Sequence, residues 1–246
     1  MSGLLLAFHY LTLVPLPGAH AGPGALGRAA GWFPVVGLAL GAFLLAVDVL
    51  ARVIFPPLLA ALVVVGAWKL ATGGLHLDGL ADCADGLAGR DPAQRLAIMR
   101  DARIGAFGTA ALVFVLVLDA VALSGIATAT RWRLLLVVPA IARAAPALLG
   151  RVLPAARPDG LGAAFHAGLG AGRAAVALAA ALAAAVAALG LLGVILVCAA
   201  WLVALLVGSV MTWRLGGVTG DVHGAAIEMA ELAALLTAAA WTHVRP

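Results

Sequence analysis

The chain has 246 residues, of which 65% are hydrophobic and only 11% are charged, and its net charge is +4. A soluble domain of this length keeps about a quarter of its residues charged, so this composition excludes an ordinary soluble protein. The positive charge does not indicate nucleic-acid binding, because the arginines are scattered and are not interleaved with aromatic residues. The two cysteines, Cys83 and Cys198, form no CxxC pair, so neither a disulfide framework nor a zinc site is predicted.

The apolar segments predict an all-α, polytopic membrane protein. The first 20 residues lack a basic region ahead of the apolar run, so we expect an interfacial helix there and not a cleaved signal. Beyond them, seven segments approach the length of about 20 apolar residues that spans a bilayer. They cover residues 32–53, 57–72, 104–128, 134–153, 174–189, 191–213 and 225–241. We therefore predict a bundle of about seven transmembrane helices that forms one domain over residues 1–246.

The arginine distribution predicts the orientation of this bundle. With a cytoplasmic N-terminus, nine loop arginines fall on the cytoplasmic side, namely Arg28, Arg90, Arg95, Arg100, Arg103, Arg151, Arg157, Arg173 and Arg214. Four fall on the other side, namely Arg52, Arg131, Arg133 and Arg245. Since cytoplasmic loops carry the excess of basic residues, we predict a multi-pass protein of the plasma (inner) membrane whose polar motifs face the cytoplasm.

The stretch GGLHLDGLADCADGL, which follows the second apolar segment, concentrates acidic residues. Asp78, Asp82 and Asp85 are four and three residues apart, so on a helix they share one face. Three carboxylates on one face repel each other unless a cation lies among them, and oxygen ligands favour Mg²⁺, Mn²⁺ or Ca²⁺ over zinc. An acidic helix start would explain one of these residues but not all three. We predict that all three are metal ligands, with Asp82 also catalytic.

Neighbouring residues are candidates for substrate binding. Glycine lets the backbone approach a phosphate closely, and we predict this role for Gly73 and Gly74, together with Gly220 farther along the chain. His76 is a candidate substrate ligand, although a hydrogen-bonded boundary histidine is an equally good interpretation. In the following stretch, an arginine fork suits phosphate oxygens, so Arg100 is predicted to bind substrate. Asp101 and Arg103 are predicted to be a catalytic pair.

The last polar stretch, LGGVTGDVHGAAIEMAEL, carries a second acidic face. Asp221, Glu228 and Glu231 again share one helical stripe, and ionisable groups inside a span are costly and usually functional. Asp221 and Glu228 are predicted metal ligands, and Glu228 is also a predicted catalytic residue. Arg143 lies within the fourth span, where it needs either a carboxylate stripe or a substrate phosphate as its partner, and we predict a catalytic role. Two such stripes that face each other resemble the two-metal clamps of phosphoryl transfer.

Four motifs in the same order resemble the cobalamin synthase family of adenosylcobinamide-GDP ribazoletransferases. They are TGGLHLDGLADCADGL, IMRDARIGAFG, DGLGAAF and GGVTGDVHGAAIEMAEL. The resemblance implies a Mg²⁺-dependent membrane transferase that joins adenosylcobinamide-GDP to α-ribazole or its 5′-phosphate and releases GMP. It places functional acids at Asp78, Asp82, Asp85, Asp101, Asp221 and Glu228. The implied partners are these small-molecule substrates and the lipid bilayer, with no nucleic acid, and whether the chain forms a homo-oligomer is left open.

Two other functions fit an acidic membrane bundle. A CDP-alcohol phosphatidyltransferase also uses an aspartate-rich motif, but its pattern opens with DGxxAR, whereas here Asp78 and Gly79 are followed by LADCAD. A cation transporter would place acids at mid-bilayer and tends to show inverted repeats, which this sequence does not display. The transferase is therefore the preferred interpretation.

Overall fold

The computed structural model describes residues 2–14, 22, 24–157 and 160–244, with only the backbone of residue 161. These residues form α-helices linked by short turns, with an isolated bridge between Ala155 and Val218. The helices are α1 (Gly3–Leu11), α2 (Ala25–Ala29), α3 (Phe33–Ile54), α4 (Pro57–Ala71), α5 (Leu75–Gly86), α6 (Pro92–Ile98), α7 (Ala106–Gly125), α8 (Thr128–Val152), α9 (Gly160–Gly168), α10 (Ala171–Leu189), α11 (Leu191–Leu215) and α12 (Gly220–Val244). A 3₁₀ turn, Ala30–Trp32, joins α2 to α3.

The predicted all-α membrane architecture is confirmed. Among the described residues, six helices are long and apolar enough to cross a membrane, or up to seven if α4 and α5 form one broken span. These two helices are bent by 90° at their junction. The predicted second span thus ends in a sharp corner, and the acidic motif continues as a separate helix.

Helices α8 and α12 begin earlier in the sequence than the spans predicted for them. The fourth, α8, begins at Thr128 and not at residue 134, so Arg131 and Arg133 belong to its first turns and not to a loop. The Arg131 guanidinium is buried there and pairs with Asp48 of α3, which offsets part of the cost of burying its charge. The last, α12, begins at Gly220 and carries Asp221 in its first turn, where an acid suits the helix dipole.

Helices α8 and α12 form the centre of the bundle. The apolar windows of both are 72% buried, against 22% for α10 and 39% for α11. Close contact between α3 and α8 depends on glycine, since a Cβ atom at Gly37 would lie 2.6 Å from the backbone nitrogen of Ala140. Small residues allow helix backbones to approach in this way in membranes. The central helices therefore have fixed positions relative to α3 and to each other.

Candidate active site

The corner between α4 and α5 sets the direction of the acidic helix. Gly73 and Gly74 have φ values of +64° and +69°, in the left-handed region that other residues rarely adopt. The turn they form ends α4 and starts α5 at Leu75. The predicted helical stripe of Asp78, Asp82 and Asp85 is thus carried by α5, which leaves α4 at 90°.

Two glycines bring α5 against the start of α12. A Cβ atom at Gly79 would lie 2.6 Å from the carbonyl oxygen of Asp221, and one at Gly224 would lie 3.2 Å from the Cα of His76. The two backbones can approach this closely only because neither glycine has a side chain. Asp221 consequently joins the α5 aspartates, and the charges of Asp78, Asp85 and Asp221 all act on Asp82. The structure therefore brings the aspartates of α5 together with Asp221 of α12.

Asp85 has a structural partner that the sequence did not reveal. Its two carboxylate oxygens accept hydrogen bonds from the backbone N–H groups of Gly105 at 2.7 Å and of Gly108 at 2.8 Å. These N–H groups lie at the start of α7, where a helix leaves its first amides without partners inside the helix. These two hydrogen bonds explain an acidic residue at position 85 without requiring a metal ion there.

A cleft of about 680 Å³ runs along the other two aspartates. Asp78 and Asp82 line it together with Arg100, and the predicted substrate-binding turn of Gly73 and Gly74 forms another wall. Within the described residues, no basic side chain forms an ion pair with either aspartate. Their negative charge is therefore available to a bound cation.

Asp101 and Arg103 line the same cleft as an ion pair. The Arg103 guanidinium donates to Asp101 through Nη2 at 2.6 Å and through Nε at 3.0 Å. These hydrogen bonds lower the pKa of Asp101 to about 2. Asp101 and Arg103 thus line one cleft together with Asp78 and Asp82.

A second, smaller cleft of about 270 Å³ continues on the α12 side. Asp221 and Gly220 line it together with Arg100 and Arg157. The positive charge of Arg157 also acts on the Asp221 carboxylate. From the sequence, Arg157 was predicted only to mark the cytoplasmic side of the membrane. Asp159, which opens the DGLGAAF motif, lies outside the described residues. The two clefts share Arg100, so its side chain stands between the Asp82 and Asp221 sides of the site.

The remaining predicted residues, Glu228 and Arg143, lie in a buried ionic cluster in the bundle core. The Lys69 ammonium contacts Glu228 at 2.6 Å and Glu231 at 2.7 Å, and Arg143 contacts the other oxygen of Glu231 at 2.7 Å. Asp119 lies 3.5 Å from Lys69. Of the two partners considered for Arg143, the structure thus shows the carboxylate stripe. The cluster also accounts for Glu228 without a metal ion, and neither residue lines the clefts described above.

Sequence reasoning missed two members of this cluster, Lys69 and Asp119. Both lie inside predicted spans, where an unpaired charge is expensive. The same cost, which predicted functional roles for Arg143 and Glu228, applies equally to Lys69 and Asp119. Lys69 is the single lysine of the chain, which made it a distinct signal.

The oxygen donors near the clefts suit a hard cation. Within the part of the chain that the structure describes, Asp78 and Asp82 form no ion pair, and Asp221 approaches them from α12. Among the described residues, however, no three His, Cys, Asp or Glu side chains are already arranged as a metal site. The residue types fit Mg²⁺, which takes few protein carboxylates and keeps several ligands from water and substrate phosphates.

Comparison with known proteins identifies the family of this site. Residues 3–239 match the cobalamin-5-phosphate synthase family. The chain belongs to this family. It is 42% identical to the adenosylcobinamide-GDP ribazoletransferase of Thiobacillus denitrificans, over 97% of this chain and 95% of the relative. It is 38% identical to that of Geotalea daltonii, over 94% of both chains, and 34% identical to that of Brevibacillus brevis, over 96% and 97%. No solved structure matches the chain.

Family membership confirms the resemblance found in the motifs. It favours an enzyme of cobalamin biosynthesis over the phosphatidyltransferase and the cation transporter. It does not assign roles to individual residues, so the metal, substrate-binding and catalytic roles above remain predictions.

Proposed function

We propose that this protein is a Mg²⁺-dependent transferase that joins adenosylcobinamide-GDP to α-ribazole or its 5′-phosphate and releases GMP. One observation carries the proposal: in a chain of this family, Asp78 and Asp82 have no basic partner among the described residues and lie with Asp221 beside clefts lined by Arg100 and Arg103. The relatives are named adenosylcobinamide-GDP ribazoletransferases, which supports adenosylcobinamide-GDP and a ribazole as the two substrates. Acids that bind a cation and arginines that bind phosphate are what a pyrophosphate donor requires.

The reaction replaces a phosphoanhydride bond of the donor with a new phosphate ester bond. A ribose hydroxyl of the acceptor forms a bond to the cobinamide-linked phosphorus, the bond from this phosphorus to the bridging oxygen breaks, and GMP leaves with that oxygen. The hydroxyl proton must be taken up, and the negative charge on the donor must be reduced before the oxygen can approach. The clefts provide groups for both tasks.

Asp78, Asp82 and Asp221 would hold Mg²⁺, which when bound would neutralise phosphate charge. Arg100 lines both clefts and would contact the phosphates from either side. Arg103 is held by Asp101, so its guanidinium is oriented before substrate arrives. These contacts would hold the pyrophosphate in the cleft with its phosphorus next to the acceptor.

In this proposal the proton acceptor is an acid other than Asp101. Because Arg103 keeps the pKa of Asp101 at about 2, this carboxylate binds a proton weakly at neutral pH. Asp101 is a positioning residue for Arg103 in this proposal. The remaining acids of the larger cleft are Asp78 and Asp82, and a carboxylate oxygen of one of these would receive the proton of the attacking hydroxyl.

The site is proposed to face the cytoplasm in a multi-pass protein of the plasma (inner) membrane. The arginine excess supports this orientation, and the motif segments meet at one set of clefts. Labelling of an Ala93→Cys variant in intact cells, with the exposed Cys198 replaced by serine, tests it. A membrane-impermeant thiol reagent should fail to label Ala93→Cys until the cells are opened, and labelling of intact cells would reverse the topology.

The central experiment incubates purified protein in detergent with adenosylcobinamide-GDP, α-ribazole and Mg²⁺ and measures GMP by chromatography. GMP should appear with the corrinoid product in equal amounts. Omission of α-ribazole should abolish GMP release, which distinguishes transfer from hydrolysis. A chelator should stop the reaction and added Mg²⁺ should restore it. Full activity in chelator would remove the metal from the proposal, and no product in any condition would refute the transferase.

A further inference from the structure

An aromatic pocket adjoins the two clefts and has no place in the chemistry above. We call it the aromatic pocket, and its lining includes Tyr10, Phe33, His76, Phe165 and His223. These residues come from α1, α3, α5, α9 and α12. Asp78 and Asp221 also line it, so it lies directly beside the proposed metal ligands. Its volume of about 100 Å³ is much smaller than that of the larger cleft.

The rings in this pocket are arranged in contact with one another. Phe33 and Phe165 are stacked, with ring centroids 6.0 Å apart and planes inclined by 26°. The His223 ring meets Phe165 edge to face, with centroids 5.1 Å apart. Such an arrangement offers aromatic surface to a flat guest, which gains both apolar burial and ring contact. Burial also raises the pKa of Tyr10, so its hydroxyl stays neutral.

The pocket also contains buried nitrogen atoms without partners. Neither ring nitrogen of His76 has a hydrogen-bond partner among the described residues, although the side chain is 3% exposed. Nδ1 of His223 is also buried without a hydrogen-bond partner among the described residues, and Nε2 of His223 lies 3.3 Å from Nε2 of His166. An imidazole always carries at least one N–H, and a buried donor left without a partner is costly. A ligand that offers an acceptor atom would remove this cost.

Resting on the proposed function, we infer that the aromatic pocket binds the planar base of the acceptor nucleoside, with His76 donating a hydrogen bond to its free ring nitrogen. A benzimidazole presents one acceptor nitrogen and an otherwise apolar ring, which matches a pocket of aromatic side chains with few polar atoms. Guanine presents several donors and acceptors, and binding it here would place more polar atoms against the aromatic rings. A corrin macrocycle is too large for a pocket of this volume. The pocket's position beside Asp78 and Asp221 brings the attached ribose to the metal ligands.

The hydrogen bond is tested by changing one atom of the substrate and one side chain of the protein. The acceptors are α-ribazole and its indole analogue, in which a C–H replaces the free ring nitrogen. Wild-type protein should favour α-ribazole in kcat/KM by about tenfold to hundredfold, because the analogue leaves a buried N–H unpaired. His76→Phe keeps a ring but removes the donor, so this preference should fall to near unity. Equal use of both acceptors by the wild type, or an unchanged preference in His76→Phe, would overturn the inference.

The ring contacts are tested separately with Phe165→Leu, which remains informative if His76→Phe does not fold. This variant should raise KM for α-ribazole by about tenfold and leave KM for adenosylcobinamide-GDP unchanged. Phe114→Leu, a matched change at an exposed position of α7, should alter neither constant. An increase confined to the corrinoid donor would assign the pocket to that substrate and overturn the inference. Absence of GMP release by the wild type would refute the proposed function itself, whereas GMP release without these effects would refute the pocket alone.

Discussion

Replacement of Lys69 by methionine should strongly destabilise the protein, since its charge holds the buried ionic cluster together. The Lys69 side chain is 6% exposed, and its ammonium contacts Glu228 at 2.6 Å and Glu231 at 2.7 Å. Methionine preserves most of the volume and removes the charge. Glu231 would keep Arg143, but Glu228 would lose its one basic partner among the described residues.

The expected loss follows from this burial. Removal of one member of a buried ion pair typically costs about 3–5 kcal/mol, because it leaves an uncompensated charge in a low-dielectric interior. Three carboxylates surround Lys69, so the upper part of this range applies. For a chain of this size such a loss lowers the melting temperature by about 10 °C. The double variant Lys69→Met with Glu228→Gln removes the uncompensated charge and should recover at least half of the loss.

Thermal unfolding in detergent, followed by circular dichroism, measures this effect. Arg103→Met is the matched control, because the Arg103–Asp101 pair has the same separation of 2.6 Å but an arginine side chain that is 88% exposed. Water screens that pair, so its loss should leave the melting temperature nearly unchanged. Two results would contradict this role of the buried cluster. One is a melting temperature of Lys69→Met within a degree of the wild type. The other is a double variant that melts no higher than Lys69→Met.

Three further variants test the site. Asp82→Asn should lower the rate of GMP release at least about hundredfold and weaken its dependence on Mg²⁺, while the melting temperature in chelator stays the same; near-wild-type turnover would contradict the metal role. Asp85→Asn can accept from only one of the two amides at the start of α7, so it should cost about 1 kcal/mol of stability and reduce turnover far less than Asp82→Asn. Gly79→Ala places a Cβ atom 2.6 Å from the Asp221 carbonyl and should lower turnover about hundredfold by separating α5 from α12, whereas Gly66→Ala, which meets nothing within 4 Å, should have no effect.

Much of the architecture and part of the site could be predicted from the sequence. Apolar length identified the spans, and the four- and three-residue spacing placed Asp78, Asp82 and Asp85 on one helix. Both signals are local, since they depend on the period of a helix and on the thickness of a bilayer. The sequence analysis also selected Asp101 and Arg103 as a functional pair, and both line the cleft that Asp78 and Asp82 line.

Distinguishing among the acids required the three-dimensional structure. Asp82 and Asp85 carry the same chemistry on the same helix, yet Asp85 caps α7 and Asp82 faces a cleft. Glu228 follows Asp221 on the same helical stripe, but one binds Lys69 in the core and the other lines a cleft. These differences depend on which helix lies opposite, and the spacing of residues within one segment carries no information on that.

The buried cluster connects the core of the bundle to the geometry of the site. Helix α12 carries Asp221 in its first turn and Glu228 and Glu231 farther along, so its rotation fixes the directions of all three side chains. Lys69 binds these glutamates from the last turn of α4, immediately before the glycine corner that leads into α5. The same contact that neutralises the core thus ties the base of α5 to α12. Because Gly79 and Gly224 let these two helices cross closely, a small rotation of α12 would move Asp221 away from Asp78 and Asp82. The ion pairs of the core therefore hold the proposed metal ligands together, although none of the core residues lines the clefts that would hold the pyrophosphate.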